Sequence, residues 1–443
     1  MRQHSRWLRL LAVLLGLSML AAACGDDGDD TEASDDTTED EGGDEESAAP
    51  ATGEAAPTCE GEEDGTFTIG ALLPETGDLA GLGPPEIAGA QLAVEEINAG
   101  GGVNGADVVY RPGDSGDSDP DIANPTVDGH LEANVDMILG AASSGISLNV
   151  IDKITGACKI HFSPANTSKE LSTYADDDLY FRTAPSDILQ GQVLADLIAG
   201  EGNTTLALLA RQDSYGEGLL EDTAGPFEEQ GGEVVLERVY DPEAQTFEAE
   251  VQAVVNADPD ALALIGFEES SRILTSLIEQ GFNPQDKKIY MVDGNTSNTY
   301  YADLPPGALN GVKGTSPLTD LSEDFTQRLL GVNPGLTDYL YAGESYDAVM
   351  ITALAAQIAG TDNPAEIAKN INGVTREGEK CTTWEDCAAL IEAGTDIDYD
   401  GASGPQEFSQ NGEPTEASFG ILVYRADVNE TDPALTEFVQ AQI

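Results

Sequence analysis

The chain has 443 residues, with 82 Asp and Glu against 19 Lys and Arg, and a formal net charge of −63 at pH 7. An acid surplus on this scale argues against nucleic-acid binding, which needs clustered Lys and Arg to meet phosphates. It suits a solvated surface in strong salt, where screening over a few ångströms tames the self-repulsion.

Residues 1–23 read as a signal peptide. Arg2, Arg6 and Arg9 give a positive start, and Leu10 to Leu20 an apolar core. That core is shorter than the roughly 20 residues a membrane span needs. Ala21, Ala22 and Ala23 then lead to Cys24. Small residues before a lone cysteine resemble a bacterial lipobox, in which the cysteine becomes the lipidated first residue. The leucine stands four residues before Cys24 instead of the usual three, and a plain secretory signal is the alternative.

From Gly25 to Asp64 there are 18 acidic residues and no Lys, Arg or aromatic residue. Such a segment cannot bury enough apolar surface to offset its ordering entropy, and its charges repel. Residues 24–64 are therefore expected to form a disordered, extended tether. Without tether and signal, 64 acidic residues stand against 16 basic ones, about −48. The remaining ~380 residues are enough for two domains of ordinary size.

Short apolar runs then alternate with helical stretches. "FTIGALL" (67–73) reads as a buried strand. "PPEIAGAQLAVEEINAGG" puts Ile87, Ala90, Val94 and Ile97 on one helical face and closes on glycines. "VDMILGA", "TTLALLA", "EVVLERVY", "ALALIGF" and "KIYMVDG" repeat the strand pattern, each followed by a loop and a helix-like segment. The alternation predicts an α/β protein with parallel sheets covered on both faces, and enough units for two of them. Ligands of open parallel sheets sit at the carboxyl ends of strands.

Four of those ends carry small and polar residues. "LGAASSGIS" holds Ser143 and Ser144, hydroxyls beside a helix start where a carboxylate is favoured. "FSPANTS" holds Asn166 and Thr167. "ARQDSYGEG" offers Tyr215 as an aromatic wall with a polar tip. "MVDGNTS" offers Asp293 as an acceptor for an ammonium. Each alone is an ordinary helix cap or turn. Together they put anion donors on one domain and a cation acceptor on the other, which suits an α-amino acid.

Four cysteines besides Cys24 favour disulfides in an exported protein. Cys381 and Cys387 are close enough in sequence to pair, which leaves Cys59 and Cys158 for each other. Zinc-type spacing is absent. "DIDYDGASGPQE" does match the calcium-loop pattern through Asp396, Asp398, Asp400, Gly401 and Glu407. Against it stand Ser403 at the usually apolar eighth place, Pro405, and a continuation, "FSQNGEP", that cannot start a helix. A polar turn is preferred, and no metal or cofactor is assigned.

The set "IGALLPETGDLAGLGPPEIAGAQLAVEEINAGGGVNG", "GAASSG", "FSPANTSKELS", "YFRTAPSDILQGQVLADL", "DSYGEGL" and "EFSQNGEPTEASFGILVY" resembles the leucine/isoleucine/valine-binding family of solute-binding proteins that serve ABC importers. The resemblance covers residues 65–443. It implies two doubly wound parallel-sheet lobes joined by three crossovers, with the ligand in the cleft. The first lobe takes 65–185 and 315–405, the second 186–314 and 406–443. It implies that Ser143 or Ser144, with Ala165, Asn166 and Thr167, holds the ligand from the first lobe. Tyr215, Asp293 and Gly294 meet it from the second, with Phe267 as a further aromatic. Asn166 departs from the small apolar residue usual there. Leu82 stands where amino-acid binders often carry an aromatic.

The resemblance implies no catalysis, and the residues agree. The G-x-S-x-G elbow is missing, "YGEG" is no dinucleotide fingerprint, and no Ser-His-acid set is supported around His130 or His161. The expectation is a monomeric, extracytoplasmic binding lipoprotein held to the membrane by Cys24 alone. It would capture a small-molecule ligand, an amino acid and foremost a branched-chain one, and pass it to an ABC permease. Urea or short amides as ligand, or a ligand-sensing role, are the alternatives.

Overall fold

The computed structural model describes residues 56–442, apart from 117 and 119. The signal peptide, Cys24 and the tether up to residue 55 lie outside the described residues. No described helix is long and apolar enough to cross a membrane.

The tether, expected to run disordered to residue 64, is attached to the folded domain from residue 58 onward. Thr58 donates its N–H and hydroxyl to the Asp177 carboxylate, both at 2.9 Å. Cys59 is bonded to Cys158. Asp362 accepts the N–H groups of Asp64, Gly65 and Thr66 at 3.0, 2.6 and 2.8 Å. A covalent link and charge-assisted hydrogen bonds offset an ordering entropy that composition alone could not.

Five parallel strands form the first sheet: β1 (Thr68–Leu72), β2 (Val109–Arg111), β3 (Met137–Gly140), β4 (Ile160–Ser163) and β5 (Tyr180–Arg182), in the order β2-β1-β3-β4-β5. The chain then enters a second sheet with β6 (Thr205–Arg211), β7 (Glu233–Tyr240), β8 (Ala261–Ile265), β9 (Lys288–Met291) and β10 (Lys313–Pro317). A small parallel pair follows, β11 (Glu379–Cys381) and β12 (Ile397–Tyr399). The last strands, β13 (Glu416–Val423) and β14 (Glu437–Gln442), return to the second sheet, whose order is β14-β13-β10-β9-β8-β6-β7. They pair antiparallel, β13 with β10 and β14 with β13. The runs "MILG" and "ALALI" are buried at every position, as strands covered on both faces must be.

The first sheet draws on helices far apart in sequence. Helix Gly83–Ala99 starts on Pro84 and Pro85 and closes at Gly100. It packs on helix Ala342–Ala359, which is buried at every residue through Ala356. Their backbones touch at Gly89, where any Cβ would overlap the Ala342 carbonyl. Both helices share a core with Ile69, Ala71, Met137, Leu139, Ile160 and Phe162 of β1, β3 and β4. A fully buried Ile or Leu contributes about 1.5–3 kcal/mol. The chain therefore returns to the first sheet late, after β10 has stayed in the second sheet to Pro317.

Candidate ligand cleft

All four polar strand ends open onto one small cavity. From the first-sheet side it is lined by Leu79, Leu82, Ala142, Ser144, Ala165 and Thr167, in the loops after β1, β3 and β4. From the other side come Tyr215 after β6, Phe267 after β8, and Asp293 and Gly294 after β9. Tyr341 completes it from the segment before helix Ala342–Ala359. The cavity measures about 10 Å³, room for about one water. An amino acid fits only when the walls stand further apart.

Asp293 is the centre of its polar side. Gln190 Nε2 and the Tyr215 hydroxyl donate to Oδ1, both at 2.8 Å, and the Tyr341 hydroxyl donates to Oδ2 at 2.7 Å. Burial pushes the Asp293 carboxyl above its usual range, against the pull of those three donors. Burial and the Asp293 charge push the Tyr215 phenol well up, so it stays a donor. Tyr215 stacks on Phe267 at 5.4 Å, and the Arg211 guanidinium lies 3.5 Å from the Phe267 ring centre. Arg211 is itself held by Asp213 and Glu269. This aromatic wall is therefore braced from behind.

The opposite wall carries hydroxyls. Ser144 Oγ accepts the Ser168 N–H at 3.3 Å, which leaves its own proton to donate. The loop geometry begins at Gly140, whose φ of +123° favours glycine and whose Cβ would strike the Leu72 carbonyl. Ser143 and Asn166 do not line the cavity. Ser143 caps helix Ser144–Gly156 through the Ile146 N–H. Asn166 donates to the Ala141 and Ala142 carbonyls at 2.9 and 2.8 Å and accepts from the Tyr180 hydroxyl at 3.0 Å. It ties the two first-lobe loops together. The Ala165 and Asn166 N–H groups both go to Ser163 Oγ. Arg182, wholly buried, fixes the same loop by donating to the Asn166 and Ser168 carbonyls, and it pairs with Glu413.

Several groups here carry no signal that sequence reasoning used. Tyr341 lies outside every motif, and its φ of +59° is uncommon for tyrosine. Gln190 and Asp187 sit inside "YFRTAPSDILQGQVLADL" without an assigned role. Asp187 is 0% exposed at the first position of helix Asp187–Gly200. Burial, then the charge of Asp293, raises its carboxyl well above the usual range, while the Thr167 hydroxyl and Arg182 pull the other way.

The calcium-like loop is arranged otherwise. Lys380 Nζ sits among its carboxylates, at 2.8 Å from Asp398, 2.9 Å from Asp400 and 3.4 Å from Glu407. Asp396 gives only its backbone carbonyl, to the Glu379 N–H of β11. Among the described residues no group of three or more His, Cys, Asp or Glu could hold a metal ion. Cys381 and Cys387 form a disulfide beside this loop.

Comparison with known proteins comes down on one kind of molecule. A family profile described as "Periplasmic binding protein" matches residues 66–426. The chain is 26% identical over 78% of its length, and 84% of the relative's, to the chemotactic signal transduction system substrate-binding protein BasB of Halobacterium salinarum. It is 25% identical to the leucine-, isoleucine-, valine-, threonine- and alanine-binding protein of Pseudomonas aeruginosa, over 70% of this chain and 83% of that one. Its fold is similar to that of the branched-chain amino acid transporter substrate-binding protein LivJ of Streptococcus pneumoniae in complex with isoleucine. There the TM-score is 0.69 at 22% identity, covering 85% of this chain and 99% of that one.

Proposed function

The chain belongs to the periplasmic binding protein family, and we propose that it captures an α-amino acid, foremost a branched-chain one, for an ABC importer. It is a binding protein and not an enzyme, as its relatives are. The observation that carries the amino-acid reading is the division of the cleft. Ser144 and Thr167 hydroxyls face a buried acid, Asp293, across walls of Leu79, Leu82 and Phe267. Hydroxyls suit a carboxylate, an acid suits an ammonium, and the apolar walls suit an aliphatic side chain.

In this reading two lobes, expected as 65–185 with 315–405 and 186–314 with 406–443, open to admit the ligand and close on it, with 315–317 moved to the second lobe because β10 lies in its sheet. The crossover after β10 then falls beyond Pro317. The small cavity fits a closed arrangement that must part for each ligand. Cys24 carries the lipid and the acidic run spaces the domain from the membrane. Cys24→Ala should release the protein to the soluble fraction.

A thermal-shift screen tests the ligand, since binding to the folded state alone raises stability by RT ln(1 + [L]/Kd). Leucine, isoleucine and valine are expected to raise the melting temperature. A response confined to urea and short amides overturns the amino-acid reading. The similarity to a chemotaxis substrate-binding protein favours a second reading, in which the same capture feeds a membrane sensor. Co-purification of the lipid-anchored protein with a permease or with a transducer separates the two.

A further inference from the structure

We propose that Asp187 and Asp293 act as one acid pair that holds a single proton in the ligand-free cleft and gives it up to solvent when a ligand ammonium arrives. The inference rests on the amine-ligand reading above and goes beyond it by assigning Asp187 and a proton to the site.

Its basis is an imbalance of donors and acceptors. Asp293 already takes three hydrogen bonds, all from neutral groups. Asp187, fully buried, has only the Thr167 hydroxyl near it as a donor, outside good hydrogen-bond geometry, and so has no well-formed hydrogen bond on either oxygen. One turn along the same helix face, Gln190 spends its amide N–H on Asp293 and leaves its buried Oε1 without a donor. The Asp187 N–H is bonded at 2.7 Å to the carbonyl of Thr167, a cavity-lining residue. Asp187 thus stands directly behind the cavity wall with acceptor capacity to spare.

No neighbouring cation is free to neutralise the pair. Around Asp187 the charged and titratable groups are Asp293, Asp222, Arg182 and Tyr215. Arg182 is committed to Glu413, and Lys169 answers Asp222 and Glu221. Besides Asp187, the groups that act on Asp293 are Tyr341, Tyr215, Gln190 and the Gly294 backbone, none of them a cation. Two interacting carboxylates buried without a committed cation do not both ionise at neutral pH, and the retained proton belongs to the pair, not to either residue. Burial pushes both acids upward, in keeping with this geometry.

An incoming ammonium changes the balance. It brings one positive charge and three N–H donors to a place rich in unused acceptors. The pair then passes from one negative charge to two as its O–H proton leaves to water, and no other bond is made or broken. A neutral amide brings donors without charge and leaves the proton in place. Proton release therefore distinguishes the class of ligand as well as the role of the residue.

Two measurements test this. Calorimetry with L-isoleucine near pH 7, in buffers of different ionisation enthalpy, should show up to about one proton released per ligand bound, as linkage of coupled sites requires. In Asp187→Asn, L-isoleucine binding, weaker than in the parent, should proceed without proton release. Binding by the parent with no buffer dependence, or with the same dependence in Asp187→Asn, overturns the proposal. Carboxyl ¹³C NMR without ligand should show an aspartate titrating well above the usual carboxylate range in the parent and missing in Asp187→Asn, which separates the pair from other buried acids such as Asp136, pushed up to about 8 by burial. Its absence overturns the pair. Its presence without binding of any amino acid keeps the pair and removes the amino-acid reading instead.

Discussion

Two buried aspartates anchor two very different places in this molecule. Asp347, on helix Ala342–Ala359, accepts from the Ala402 and Ser403 N–H groups at 2.9 and 2.7 Å and from the Tyr399 and Ser403 hydroxyls at 2.8 and 2.5 Å. Asp293 is held mainly by side chains, two phenols and an amide, with the Gly294 backbone alone beside them. Backbone donors are fixed once the loop has folded, so Asp347 locks the 399–406 segment in one shape. Hydroxyl and amide donors turn about single bonds and can let go. A carboxylate that must exchange its partners for a ligand is better served by the second kind.

The largest effect should come from breaking the fixed centre. Asp347→Ala strands the buried Tyr399 hydroxyl and three partly buried donors of Ala402 and Ser403, at up to about 1–3 kcal/mol for each donor left unsatisfied. Urea denaturation should show a loss of about 3 kcal/mol or more. Wherever the variant still folds, ligand affinity should stay near the parent value. If Asp347→Ala costs less than Asp293→Ala in stability, the division between fixed and exchangeable centres is wrong.

The disulfide beside that centre should come next. Cys381 and Cys387 are six residues apart, and Asp400 N–H of the locked loop bonds to the Cys381 carbonyl. A ring this short removes about 2 kcal/mol of unfolded-state entropy in the loop-closure account. Replacing both cysteines by serine should lower stability by about that amount and leave ligand affinity within about twofold. The parent, made under oxidising conditions, should show no free thiol at either position by peptide mapping.

Asp293→Ala should reverse the pattern. Its donors can turn aside, so the fold should survive, while the ligand ammonium loses a charge-assisted partner. Such bonds contribute about 1.5–3 kcal/mol, and about 1.4 kcal/mol is tenfold in affinity. Calorimetry with the ligand found by thermal screening should show at least a roughly tenfold loss. Affinity within about twofold of the parent would mean that the ammonium is held elsewhere.

The sequence carries the fold and the cleft unequally. Runs such as "FTIGALL" and "ALALIGF" declare their strands because both faces are apolar, and the strand ends then point to Ser144, Thr167, Tyr215 and Asp293. What stays hidden is set by three-dimensional approach. Tyr341 reaches Asp293 from 48 residues further along the chain, and nothing local marks it. Asn166 reads as a ligand group by its place in "FSPANTS", yet it spends its amide on the neighbouring loop. Asp187 reads as an ordinary acid in the first turn of a helix, and only its complete burial sets it apart. Residues 58–64 read as tether on composition alone, although the expected Cys59–Cys158 disulfide already ties that stretch to a cysteine 99 residues away.

The smallest effect concerns the cation at the locked loop. The spacing from Asp396 to Glu407 fits calcium ligation in one dimension, while in three dimensions Lys380 already neutralises Asp398, Asp400 and Glu407. The hydrogen bonds and charges of Asp398 and Asp400 hold the Lys380 ammonium well above its usual pKa, so it stays charged across the neutral range. Its side chain is half exposed, so solvent screening limits the net worth of these pairs to about 1 kcal/mol or less. Lys380→Met should therefore lower stability only slightly in moderate salt. It should also leave three carboxylates facing one another. Calcium at fixed ionic strength should leave the parent's melting temperature unchanged. A calcium response in the parent, abolished by Asp398→Ala, would show that the lysine yields to the metal. The loop would then be as exchangeable as the cleft, and the contrast between Asp347 and Asp293 would no longer mark which part of the molecule binds.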